Sequence, residues 1–566
     1  MLLLFICCIT AFNEASSVGE KYPEVRASHR NPEREVVVCL SLDGQIQRRD
    51  GGTTNCVRDI VKAEFINSIN STGWAFINVD ALDEHVADYT LAYAAGFAEG
   101  EVSRDLIKMH LQNTVFNYCK GAQEYCERLS IFLLKNFLWM KAKIRTNPDD
   151  AYWKQVNFTL NQLEGLVAGY DGDPTYVESP NDLTVHPIYM LQLAGDVEDL
   201  EAKFKRPPHL ISRAFGSGHC SALIKLLDSN EDLLFSHVTW TSYSRMLKMQ
   251  KRYSFKVGRS TNPGHTVTLS GYPGTLASNE DFVLTSAKLA ILETTISNYN
   301  ESSFKFITST SVLTWIRSQV AHRSANTAVS WAKTFARFNS GTYNNQWSII
   351  DYKKFSPHKP LRSTGLLHVL EQLPGLIKHS DLTHVLIEQK YWASYNVPYF
   401  SSIFNRSGSW KFVEKFGDWF TYERNPRALI FARDQSTVAD MKTLRKLMRS
   451  NDYQHDPLSR CNCTPPYSGE NAISCRSDLN PPNGTYPFPA LGFRDHGATD
   501  MKATNFSLMA TQLFEGISGP TYNPLPIFDW NTTPLKENVS HIGQPLQFRF
   551  PPVVHRWPSR PSSLRY

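Results

Sequence analysis

The chain predicts an α+β fold on three observations. Short apolar runs at residues 35–42, 73–79 and 233–240 read as strands. Residues 83–116 place apolar side chains three and four apart, the period of a helix with one buried face. With 42% hydrophobic and 12% aromatic residues over 566 positions, the chain can bury a sizeable core. That length fits two to four domains or one large α/β core.

The first apolar run, Leu2-Leu3-Leu4-Phe5-Ile6-Cys7-Cys8-Ile9, gives way to Asn13-Glu14. It suits the core of a signal peptide over residues 1–15 and is too short to span a bilayer. No Lys or Arg precedes it. Residues 35–42 then form a strand, Asp50-Gly51-Gly52 turns it, and residues 57–69 continue in mixed order. After the strand at 73–79, Asp83 is expected to cap the helix that follows. Ala87, Leu91, Ala94, Ala95 and Ala98 line one narrow face of it, and Gly96 and Gly100 permit close approach. Two more helices are expected, over 119–144 and around 153–166. Residues 183–192 read as a strand, placed at an edge by Pro187.

Glu201-Ala202-Lys203-Phe204-Lys205-Arg206-Pro207-Pro208 breaks the pattern, since consecutive prolines continue neither a helix nor a central strand. Residues 201–219 are therefore a solvated linker, a trimmed propeptide, or both. They divide an N-terminal fragment (16–200) from a C-terminal one (220–566). Beyond Trp240, a helix is expected over 243–249, strands over 254–257 and 266–272, paired strands at 282–284 and 289–295, and a helix over 329–338. From Pro457 onward Pro, Gly and Asn recur, as in a loop-rich tail wrapped over a core; its end is basic at Arg556, Arg560 and Arg565.

The organising stretch is Gly216-Ser217-Gly218-His219-Cys220, which delivers a cysteine to the start of an apolar run facing a second one ending at Trp240. Spacing alone leaves two readings open. Cys220 is a buried, inert thiol beside a glycine turn. Alternatively it attacks the carbonyl of His219, forms a thioester by an N-to-S acyl shift, and is released by water as a new N-terminus. Its α-amine, near pH 7.7–8.0 in isolation, then serves as the base for its own thiol. His237 and Trp240 are core residues or pocket residues, and Thr239 is placed to orient the amine. Asn396 is a turn asparagine or an oxyanion donor. Arg427, entering an apolar strand expected over 428–431, needs a partner if buried. Arg433-Asp434 reads as a structural ion pair.

Ten cysteines become eight once Cys7 and Cys8 leave with a signal peptide. Cys119 and Cys126 are expected to bridge. Among Cys461, Cys463 and Cys475 the pairing is ambiguous; a bond between Cys461 and Cys463 looks cramped, which favours Cys475 as the partner. Cys39 and Cys56 are a pair or two buried thiols. No metal-ligand spacing is present, and no cofactor is expected. Sequons at Asn70, Asn157, Asn300, Asn405, Asn462, Asn483, Asn505, Asn531 and Asn538 fit a glycoprotein of the secretory route. A net charge of +5, with no basic run interleaved with aromatics, argues against a nucleic-acid partner.

Cys220-Ser221-Ala222-Leu223-Ile224-Lys225 with Asp232-Leu233-Leu234-Phe235-Ser236-His237-Val238-Thr239-Trp240 resembles the central signature of the phospholipase B-like family of lysosomal N-terminal nucleophile hydrolases. The resemblance continues through Tyr391-Trp392, Ser394-Tyr395-Asn396, His455-Asp456-Pro457-Leu458, Ser477-Asp478-Leu479-Asn480-Pro481 and Thr499-Asp500-Met501-Lys502. It implies a four-layer α-β-β-α sandwich, autocleavage at His219-Cys220, and a pocket formed by Cys220, His237, Trp240, Asn396 and Arg427. It also implies a short-range disulfide in the last third, with a spacing different from that found here. The expected activity is release of fatty acids from phospholipids through a Cys220 thioester, in the lysosome lumen or outside the cell, with transient contact to membrane surfaces. A homodimer is a further expectation. Two alternatives stay open: an amidase acting on linear C–N bonds, and a non-catalytic lipid-binding glycoprotein.

Overall fold

The computed structural model describes residues 26–28, 32–49, 55–83, 85–172, 180–211, 218–255 and 262–558. The expected signal peptide, the turn at 50–52, Gly216-Ser217, Arg560 and Arg565 lie outside them. Among the described residues two sheets carry the fold. The larger has eleven strands, running from Leu376–Asp381 at one edge to Ile46–Arg48 at the other. Its pairings are antiparallel except where Trp74–Ala81 meets Lys248–Ser254, the seam that joins the two halves of the sheet. The smaller sheet has eight strands, and Cys220–Leu226 lies within it, between Leu233–Thr241 and Tyr391–Ser394.

The sheets pack face to face. Ala222, Ile224, Leu233 and Phe235 of the small sheet meet Phe282, Leu292, Ile350 and Val369 of the large one in a continuous apolar layer. Helices cover both outer faces. Asp88–Thr114 and Ala328–Phe335 pack on the large sheet. On the small sheet, Ile430, Phe431, Leu444 and Met448 from helices Pro426–Asp434 and Met441–Met448 meet Leu223 and Val238. The layers are therefore α-β-β-α. Strands in the two middle layers are covered on both sides, and all seven residues of Cys220–Leu226 are buried.

Helix Asp88–Thr114 touches helix Ala151–Asp171 backbone to backbone. A Cβ on Gly96 would lie 1.9 Å from the Gln162 carbonyl oxygen, and one on Gly165 1.9 Å from that of Tyr93. Only glycine fits at such a crossing.

Three expectations are corrected. Residues 183–192 are helical, in Pro180–Val185 and Pro187–Gln192. Pro187 occupies the first turn, where its missing N–H costs nothing, and the His186 ring accepts the Ile188 N–H. Residues 243–249 form a short 3-10 turn, Tyr243–Arg245, followed by the strand Lys248–Ser254. Asp83 does not cap the long helix, which begins at Asp88; its carboxylate pairs with Arg58 and accepts the His85 N–H.

The disulfides are Cys39–Cys56, Cys119–Cys126 and Cys461–Cys463. The third corrects the expected pairing to Cys475. The loop holds Cys461 and Cys463 with Cα atoms 5.2 Å apart, inside the range a disulfide spans. Cys475 is a free thiol, fully buried, 3.0 Å from Glu470 Oε2 and 3.2 Å from Ser477 Oγ.

Candidate active site at the His219–Cys220 peptide bond

Cys220 opens its strand directly opposite Thr239. The three residues ending at it are held by five groups from separate parts of the chain. The Gly218 N–H donates to Glu470 Oε1 (3.1 Å), and His496 Nε2 lies 2.8 Å from the Gly218 carbonyl oxygen. The His219 N–H donates to Asn396 Oδ1 (3.1 Å), while the His219 carbonyl accepts the main-chain N–H of Trp240. The Cys220 carbonyl accepts Arg427 Nη1 at 2.6 Å.

Each holding group is positioned for a local reason. Asn396 follows the strand Tyr391–Ser394 with φ +70°, a left-handed conformation that asparagine tolerates better than most residues. Its Nδ2 donates to the Thr295 carbonyl (2.8 Å), so the side chain meets the Gly218-His219 segment through its oxygen rather than its N–H. Arg427 is not on a strand. It sits in the first turn of helix Pro426–Asp434, with Asn425 as N-cap and Pro426 at the first position. Its guanidinium lies 4.4 Å from the Trp240 ring centroid, and Nη2 reaches the Tyr395 carbonyl at 2.7 Å. Three sides of this cation are thus engaged, as a buried arginine requires. Arg433 pairs with both Asp434 and Asp456, a structural role.

His237 faces Ala222 rather than Cys220, and its Nε2 bonds the Glu293 carbonyl at 2.8 Å. Burial and the nearby Lys502 push its pKa far down, so it stays neutral. Thr239 donates from Oγ1 to the Glu280 carbonyl and accepts from Lys502 Nζ. Lys502 belongs to a fully buried charge cluster with Lys248, Asp500 and Glu280. Beside it, Asp281 and Glu293 face each other and Tyr343. Burial raises the pKa of both carboxyls, and Glu293 rises further beside Asp281. Burial also raises the Cys220 thiol, with Glu293 and Asp281 adding to it, against smaller opposing effects of the Trp240 N–H and Lys502.

One cavity adjoins the site and a second lies beyond it. The first, of about 20 Å³, is bounded by Gly218, Asn396, Arg427, Tyr395 and Trp419. The other, a cleft of about 770 Å³, is walled by Tyr391, Trp392, Tyr395, Tyr399 and Tyr422. Tyr395 and Pro398 line both.

The structure thus brings Cys220, His219, Trp240, Thr239, Asn396 and Arg427 together and sets His237 two residue pairs along the sheet. Sequence reasoning gave no role to Glu470, His496, Lys502 or Glu280. The blocks Ser477–Pro481 and Thr499–Lys502 flagged their neighbourhood, but not which side chains turn inward.

Residues 61–555 match the family model described as Phospholipase B. The chain is 52% identical to "Putative phospholipase B-like 1" of Caenorhabditis elegans over 93% of both proteins. It is 45% identical to "Putative phospholipase B-like 2" of Homo sapiens, over 93% of this chain and 90% of that protein. It is 36% identical to "Phospholipase B-like protein B" of Dictyostelium discoideum, over 87% and 84%. A family match across most of its length, with relatives at this identity and coverage, means that the chain belongs to the phospholipase B family.

Proposed function

We propose that this protein is a self-activating cysteine hydrolase of acyl compounds, with Cys220 as nucleophile after autocleavage at His219-Cys220. The observation that carries the reading is the Trp240 N–H on the His219 carbonyl oxygen, beside the thiol that would attack that carbonyl. A backbone N–H aimed at this oxygen stabilises the negative charge that develops as sulfur adds to carbon. The C–N bond of Cys220 then breaks, and the thiol proton ends on the departing nitrogen. Water opens the thioester, leaving a carboxyl on His219 and a thiol on Cys220, so atoms balance.

In the cut protein the Cys220 amine accepts the thiol proton. An ordinary α-amine is protonated in an acidic compartment and could not do so. The mechanism therefore requires this amine to stay neutral, and the Arg427 guanidinium held at the Cys220 carbonyl disfavours a second positive charge beside it. The substrate class follows from the relatives' printed names: phospholipids, with a fatty acyl group taken up as the thioester. The aromatic cleft beyond Tyr395 has a volume within the usual range for small-molecule pockets. Entry into the secretory route, glycosylation, a lysosomal or extracellular location, membrane contact and a homodimer belong to the same proposal.

A second reading, an amidase, is favoured by one observation: the first bond the thiol meets is an amide, already held on its acyl side. Incubation at acid pH should yield a fragment starting at Cys220, seen by mass spectrometry, and Cys220→Ala should abolish it. Intact chains at every pH would refute self-cleavage. Fatty acid release by cut protein from phosphatidylcholine, against release from an N-acylethanolamine, separates ester from amide. Turnover of neither favours a lipid-binding role.

A further inference from the structure

The groups around Gly218 and His219 match a peptide backbone atom by atom. Glu470 Oε1 takes one N–H and Asn396 Oδ1 the next, while His496 faces one carbonyl oxygen and the Trp240 N–H the next. Two acceptors and two donors alternate along two consecutive residues, the pattern of an extended chain.

Glu470 is built for this contact. It is 1% exposed, with Oε2 occupied by Arg494 (2.8 Å), Ser477 (2.9 Å) and the Cys475 thiol (3.0 Å). Those bonds lock the carboxylate so that Oε1 points at the Gly218 N–H. Its pKa is lowered although burial opposes this, because Arg494 and His496 sit beside it. The site therefore holds a charged acceptor that needs a donor. Once the chain is cut and the segment ending at His219 leaves, Glu470, Asn396, His496 and Trp240 remain on elements anchored elsewhere in the fold.

We infer that Glu470, His496, Asn396 and the Trp240 N–H form a subsite for an acyl group that carries peptide units, first filled by the chain's own Gly218-His219 and, after cleavage, by a peptidyl or N-acyl-aminoacyl substrate. This rests on the self-cleavage reading and gives its amidase branch a substrate class. A hydrocarbon acyl chain offers no N–H to Glu470, so the subsite discriminates against it. Binding to a site that hydrogen-bonds a substrate N–H falls steeply for an analogue lacking that group.

The test uses the full-length protein after acid incubation, with an N-terminus at Cys220 verified by mass before any titration. Acetyl-Ser-Gly-His with a free carboxyl is titrated calorimetrically. Its isostere, with glycolate in place of glycine, replaces the N–H facing Glu470 by an ester oxygen; laurate is the third probe. The peptide should bind at least tenfold more tightly than the isostere and displace laurate. Glu470→Gln, which keeps the side chain's size, should shrink the peptide's advantage to threefold or less. An N-terminus that never reaches Cys220 overturns self-cleavage and the subsite with it. Cut protein that binds peptide and isostere alike, or laurate more tightly than the peptide, overturns the subsite alone.

Discussion

The main-chain N–H of Trp240 points at the carbonyl oxygen of His219 in the uncut chain. Strand pairing explains why: Cys220 lies opposite Thr239, so the residue before one meets the residue after the other across the ladder. A contact that elsewhere merely continues a sheet here polarises an acyl group beside a thiol. The same thiol is held protonated by burial and the Asp281 and Glu293 carboxyls.

Gly218→Ala tests how tightly the segment is held. A Cβ there would lie 2.9 Å from Arg427 Nη2 and 3.0 Å from both Asn396 Oδ1 and Trp240 Cζ3. These groups are fixed by other bonds and yield little. The variant should fold but self-cleave at least about tenfold more slowly, equivalent to about 1.4 kcal/mol of misplacement in the attack geometry. A time course at acid pH resolved by denaturing gel reads this; an unchanged rate shows that the segment has slack.

Arg427→Met removes the donors to the Cys220 and Tyr395 carbonyls and the cation over Trp240. Two buried acceptors lose a charged partner, at a cost of about 3 kcal/mol in stability. Arg427→Lys should recover only part of it, because one ammonium does not reproduce a planar fork. Urea unfolding in a Cys220→Ala background measures this free of cleavage, and Met and Lys variants of wild-type stability would contradict it.

Much of this was legible in the sequence. The runs at 35–42, 73–79 and 233–240 became strands because period and composition agreed with burial in the middle layers. The helical state of Arg427 was legible too: Asn425-Pro426 is a cap followed by a first-turn proline, a signal outweighed by the apolar run after it. Glu470 and His496 were not legible. A glutamate 252 residues from Gly218 reads as surface until the fold buries it, and Lys248, Lys502 and Asp500 are the same kind of case.

The thiol inventory separates the disulfide pairings. Among the eight cysteines from Cys39 to Cys475, only Cys220 and Cys475 lack a bridge. Alkylation of denatured, unreduced protein should add two labels, both mapped by peptide mass. Label on Cys463 instead of Cys475 would restore the pairing rejected above, and two further labels would show that Cys7 and Cys8 remain in the chain.

Asn505 should be unglycosylated although it heads a sequon. Its Nδ2 donates to Asp232 Oδ2 (2.8 Å), and its Oδ1 caps helix Phe506–Ala510 by accepting the Leu508 N–H. A glycan on this nitrogen would break the first bond and crowd the second. Asn70, Asn405, Asn462, Asn483, Asn531 and Asn538 are exposed and should carry the glycans. Enzymatic deglycosylation in heavy-oxygen water marks every occupied site, and a mark on Asn505 would contradict the cap.

Glu371 gives the stability a pH dependence of defined sign. Its carboxyl is fully buried and accepts from Gln346 Nε2 and the N–H groups of Tyr399 and Phe400. Burial outweighs these bonds and raises its pKa from 4.5 to about 7. Between those values the folded protein keeps a proton that the unfolded chain releases. Stability from this group is therefore complete below pH 4.5 and is lost as pH rises to 7, by about 3 kcal/mol. His110 and His322 act oppositely: burial lowers both to about 3, so their contribution is complete above pH 6.5 and fades as pH falls. Comparison with Glu371→Gln cancels the histidines, which both proteins share. Denaturant unfolding from pH 4.5 to 7.5 should show the wild type losing about 3 kcal/mol relative to the variant. A difference that stays flat would mean that Glu371 is ionised in the folded protein throughout, with its three donors outweighing burial.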